Sequence, residues 1–138
     1  MITADQIVAH LVGDYIIQSK WMAETKTKKG WMGHVAAFVH AVTYTLPFLA
    51  ITTDWKALLP IALTHFVIDR TRLVRHVIWA RNWAAPPDYN PHWDLCRKTG
   101  APDKDAEQLP WLHTWLMIIA DNTLHLLCNG LSIWLVSQ

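Results

Sequence analysis

Three apolar stretches of this chain each carry an imidazole and a carboxylate four residues apart. They are His10 and Asp14 in VAHLVGDYIIQ, His65 and Asp69 in THFVID, and Asp121 and His125 in ADNTLH. Residues four apart stack on one face of a helix, so each pair paints a polar stripe on a greasy rod. Gln18, four residues after Asp14, lengthens the first stripe. Ionisable groups on such rods either face water or are buried with partners. The fold must therefore wet these stripes or gather them.

The pattern of apolarity and turn residues predicts an all-α chain with four helical segments, about 3–22, 33–51, 55–83 and 111–136, in one domain covering 1–138. Thr3 suits the first N-cap. The second segment, HVAAFVHAVTYTLPFLAI, contains no Asp, Glu, Lys or Arg and is long enough to span a bilayer. Pro47 is expected to kink it, as membrane helices tolerate. A loop over 84–110 is rich in Pro and charge. Charged residues make up 17% of the 138 residues, below the roughly 25% of a soluble domain. The net charge of +1 gives no electrostatic case for a nucleic-acid partner. The two cysteines, Cys96 and Cys128, lack metal-knuckle spacing and predict no disulfide framework.

A soluble bundle and a membrane bundle both fit helices of this length, and charge placement favours the membrane. If four segments cross in alternating directions, the first and third connections share a side. With the end of the third segment, they hold Lys20, Lys26, Lys28, Lys29, Arg70, Arg72, Arg75, Arg81, Arg97, Lys98 and Lys104, against Lys56 alone opposite. The positive-inside rule then puts both basic connections in the cytoplasm and both termini outside. Most of the nine Trp fall near proposed helix ends, as an aromatic belt requires. The expectation is a four-helix transmembrane bundle in a bacterial inner membrane, with a long cytoplasmic loop between the third and fourth helices.

At 1.5 Å per residue, His10, Asp14, His40, His65, Asp69, Asp121 and His125 lie roughly 10–22 Å in from the outer helix ends, around the middle of a ~30 Å core. Imidazole and carboxylate are ligands of zinc, manganese and iron, and one-turn spacing on facing helices is how bundle-core metal sites are built. These seven are the candidate ligands. They could serve one metal, with further carboxylates behind the ligands, or two metals with bridging Asp. Asp14, Asp69 and Asp121 are also candidate general bases to a metal-bound water. An interhelical hydrogen-bond network or a proton relay without metal would use the same residues. Tyr44 and Asn129 read as packing or capping groups, and the Lys and Arg as topology determinants.

At these residues the chain resembles domain of unknown function 3307, a family of small bacterial and phage membrane proteins. The match is carried by His10, Asp14, Gln18, Trp21, Met22 and Lys26 in AHLVGDYIIQSKWMAETK, by His40, and by His65 and Asp69. The family's last segment carries Asp-Gln-x-x-His; here Asn122 follows Asp121, with His125 in place. The loop over 84–110 has no counterpart. The resemblance implies a polytopic membrane protein and brings no activity. It also raises Gln18 from a polar helix end to a candidate second layer or substrate contact.

Two functions of different class follow. One is a membrane-embedded, metal-dependent hydrolase acting on a lipid or phosphoester. The other is a non-enzymatic structural or partner-binding membrane subunit, phage-encoded and envelope- or virion-associated for instance. A proton or metal conduit is a third. The expected partners are membrane lipids and a second copy or another membrane protein.

Overall fold

The computed structural model describes residues 2–84, 86, 93 and 110–138. Most of the expected loop over 84–110, including His92, Cys96, Arg97, Lys98 and Lys104, lies outside the described residues. Every regular element among the described residues is helical.

The first segment is not the single α-helix that its periodicity suggests. Helix α1 covers Ala4–Leu11, capped by the Thr3 side chain, which accepts from the Gln6 backbone N–H at 3.4 Å. It passes into a π-helical stretch, Val12–Ile17. Gln18 is extended, and Ser19 caps a new helix, α2, Lys20–Thr25. Wide π turns inside helices recur at functional sites, and this one carries Asp14. Gly30, at φ 91°, supplies the left-handed turn that starts α3, Trp31–Thr45. Pro47 then tightens the chain into a 3-10 helix over Leu46–Ala50.

Helix α4, Trp55–Thr71, begins where the Asp54 carboxylate accepts from the Lys56 N–H at 2.9 Å. The expected third helix continues to residue 83, but Arg72 adopts left-handed φ 54°, ψ 47° and splits it. Helix α5 is Leu73–Trp83, and α6 is Pro110–Val136.

The chain divides into two compact units, Met1–Thr71 with Leu124–Gln138, and Arg72–Thr123. In the second, the Trp93 ring lies against His76 and Trp79. In the first, Ala9, Tyr44, Phe48 and Ile61 form a buried apolar cluster. Beside it the usual distribution is inverted. His10, His40, His65, Asp69, His125 and Asn129 are buried, while Ile16, Phe38, Leu63, Val67, Leu127 and Leu131 are exposed. Among the described residues, two helical stretches, Trp31–Ala50 and Thr114–Val136, are long and apolar enough to cross a membrane.

Candidate metal centre

Five elements send polar side chains of the first unit to one place. Helix α1 supplies His10, and the π turn after it supplies Asp14. Helix α3 supplies His40 and, one turn on, Tyr44. Helix α4 supplies His65 and Asp69. The last turns of α6 supply His125 and Asn129. The approach of the π turn to α3 requires Gly13, because a Cβ there would lie 2.5 Å from Tyr44 Cδ2.

Four of these side chains bring one ligand atom each to the contact between His40 and His65. His40 Nε2 lies 2.9 Å from His65 Nε2, 3.2 Å from Asp14 Oδ1 and 3.3 Å from Asp69 Oδ2. His65 Nε2 lies 3.5 Å from Asp14 Oδ1 and 3.2 Å from Asp69 Oδ2. A tetrahedral ion with bonds of about 2.0–2.2 Å holds its ligand atoms roughly 3.3–3.6 Å apart. Five edges of that tetrahedron are thus present, each at or slightly inside the required length.

The hydrogen-bond inventory makes the same point. Gln18 Nε2 also approaches His40 Nε2, at 2.9 Å. One imidazole nitrogen therefore meets four polar atoms, and a neutral ring offers either one N–H or one lone pair at that atom. A carboxylate brings acceptors only. Gln18 Nε2 is the one donor among them, and a shared cation satisfies the remaining imidazole and carboxylate lone pairs better than one proton does. Asp14 with His65 and His125, and His40 with His65 and Asp69, are each close enough to hold a metal ion.

The family model described as Protein of unknown function (DUF3307) matches residues 2–88. The chain belongs to the DUF3307 family. No curated protein and no solved structure matches it. The matched DUF3307 segment contains all four converging ligand atoms together with Gln18, Lys26 and Tyr44. His125 and Asn129 come from beyond it.

Around the four atoms of this DUF3307 site lies a second layer. The other oxygen of each carboxylate turns to a further imidazole: Asp14 Oδ2 is 3.5 Å from His10 Nδ1, and Asp69 Oδ1 is 3.6 Å from His125 Nε2. Asn129 Nδ2 donates to the Tyr44 hydroxyl oxygen at 2.6 Å, and that hydroxyl lies 2.8 Å from His10 Nδ1. The hydroxyl keeps a second lone pair and its own hydrogen, so the direction of its bond to His10 Nδ1 follows the tautomer of that ring. The His65 ring lies between Tyr44 and His125, with centroids 3.6 Å and 4.2 Å away.

Of the residues the sequence singles out, His10, Asp14, His40, His65, Asp69 and His125 come together in the first unit, with Gln18 at its edge. Asp121 is in the second unit, one helical turn before His125 on α6. Sequence reasoning missed three participants. Tyr44 and Asn129 each sit four residues after a cluster histidine, so the spacing that marked the pairs marked them too. Lys26 carried no such mark. It sits just beyond α2, in the basic connection, and its Nζ donates to Asp69 Oδ2 at 2.7 Å.

Proposed function

We propose that this chain is an integral membrane protein that holds a divalent metal ion among its apolar helices. The observation that carries the proposal is the meeting of His40 Nε2 and His65 Nε2, each within 3.5 Å of both Asp14 Oδ1 and Asp69 Oδ2. Two imidazole nitrogens and two carboxylate oxygens favour zinc over manganese, which prefers six oxygen-rich ligands. His10 and His125 flank the ligating carboxylates, and Tyr44 with Asn129 holds His10. Asp121 is a further carboxylate available by spacing, and the four-atom set is complete without it.

The membrane part of the proposal is supported by the inverted first unit. Ile16 is 77% exposed while His40 is 0% exposed, which suits lipid outside and chemistry inside. Trp31 and Trp55 are exposed at the starts of α3 and α4, and Trp134 at the end of α6, where an interfacial belt would sit. Four crossings of a bacterial inner membrane, with the Lys- and Arg-rich connections in the cytoplasm, account for the one-sided basic charge.

A tetrahedral set of four protein ligands leaves no position for a reacting water, so the geometry supports metal holding ahead of hydrolysis. Hydrolysis of a phosphoester is the second reading. One observation favours it: Asp69 is already shared with Lys26, and is the ligand best placed to give way to water.

Metal analysis of the full chain purified in detergent tests the proposal. Wild type retains about one zinc per chain, the occupancy of a closed four-ligand site, and His65→Ala and Asp69→Asn retain none. Wild type without stoichiometric metal, or variants that keep it, would overturn the reading.

A further inference from the structure

We propose that the Lys26 ammonium and a divalent cation are alternative occupants of the Asp69 side of the site, so that Lys26 sets how tightly the metal is held. The inference rests on the metal-holding reading above and adds the device that regulates it.

Lys26 Nζ lies 2.7 Å from Asp69 Oδ2, an ion pair joining residues far apart in sequence. The lysine side chain is 15% exposed and the carboxylate 5%. The same oxygen is one corner of the four-atom set, 3.3 Å from His40 Nε2 and 3.2 Å from His65 Nε2. A metal bonded to that corner at about 2.0–2.2 Å would lie roughly 4 Å from the ammonium. The metal and the ammonium would then bring three positive charges against the two carboxylates of Asp14 and Asp69, an excess in a buried pocket where like charges repel far more strongly than in water.

Of the two cations, Lys26 is the one with room to move aside. It sits just beyond the short helix α2, two residues before the exposed Lys28. Its flexible four-carbon stem can carry the charge outward while the stem stays in place. His40, His65 and Asp69 lie within helices packed on one another and have no such exit. Without metal, the ammonium neutralises Asp69, which would otherwise be a buried carboxylate with only imidazoles for company. The chain can therefore fold before it is loaded, and the metal can leave without unfolding it.

The imidazoles add to the same balance. Nδ1 of His40 and Nδ1 of His65 are buried with no hydrogen-bond partner among the described residues. A metal on Nε2 moves the ring proton to that nitrogen, where ligating histidines usually find an acceptor. Its lack here weakens the grip and keeps the metal exchangeable.

The test uses the full chain in detergent, titrated with zinc against a competing chelator. Lys26→Met is expected to bind zinc at least tenfold more tightly than wild type at unchanged stoichiometry, and its metal-free form to melt at a lower temperature. A second measurement needs no variant: labelling of the Lys26 amine by an acylating reagent, read by mass spectrometry. Zinc is expected to speed that labelling at least tenfold. Equal or weaker zinc binding by Lys26→Met, or labelling that zinc leaves unchanged or slows, overturns the inference while the metal site stands. Failure of wild type and Lys26→Met alike to take up stoichiometric zinc overturns the metal reading itself, and this inference with it.

Discussion

Tyr44 lies nearly flat against His65, ring centroids 3.6 Å apart and planes 19° from parallel. The same phenol accepts from Asn129 and meets His10 through its hydroxyl. One side chain thus sets the orientation of a central imidazole by its face and of an outer imidazole by its edge.

Tyr44→Phe separates these two roles. The stack on His65 survives, while Asn129 Nδ2 and His10 Nδ1 lose a buried partner. Leaving buried polar groups unsatisfied costs about 1–3 kcal/mol. The variant should melt lower than wild type in detergent yet keep its zinc stoichiometry, because the four ligand atoms keep their places. Loss of zinc without loss of stability would show that the hydroxyl itself is a ligand.

Gly13→Ala tests the contact between the π turn and α3. The added methyl meets the Tyr44 ring at 2.5 Å, which forces the ring or the backbone to move. Overpacking of this kind costs about 1–3 kcal/mol. Because Asp14 is the next residue, zinc affinity should fall together with melting temperature. An unchanged melting curve would mean that the π turn has slack that this account denies it.

Phe38→Lys tests the lipid-facing exterior. Phe38 is 63% exposed near the middle of α3. In a water-soluble protein a charge at such a surface position usually shifts stability by no more than about 0.5 kcal/mol. At the centre of a membrane span, a lysine costs about 2.5–3.5 kcal/mol of insertion free energy. The yield of membrane-integrated protein should drop sharply, and should recover with Phe38→Leu. A lysine variant that accumulates like wild type and leaves the membrane fraction on alkaline washing would contradict the bilayer setting.

The helical character and the gathering of His and Asp were legible because both follow from spacing: one turn of helix puts paired residues on one face, and apolar surroundings force those faces together. What spacing could not show was interruption. The helix containing Asp14 widens into a π turn within an apolar run, and α4 stops at a left-handed Arg72 with no Gly or Pro nearby to announce it. Lys26 was illegible for a different reason. Its partner Asp69 lies on another helix, and in sequence it looks like one more charge in a basic connection. Tyr44 and Asn129 could have been found, since each stands one turn from a cluster histidine, but a lone phenol or amide on an apolar helix is usually a packing group.

X-ray absorption at the zinc edge of the loaded full chain tests the convergence of the four ligand atoms most directly. The account predicts a first shell of about four nitrogen and oxygen neighbours near 2.0 Å, with outer scattering from imidazole and no sulfur; His65→Ala should remove that signal. A six-oxygen shell, a sulfur neighbour, or a spectrum that His65→Ala leaves unchanged would show that these side chains do not meet on one ion.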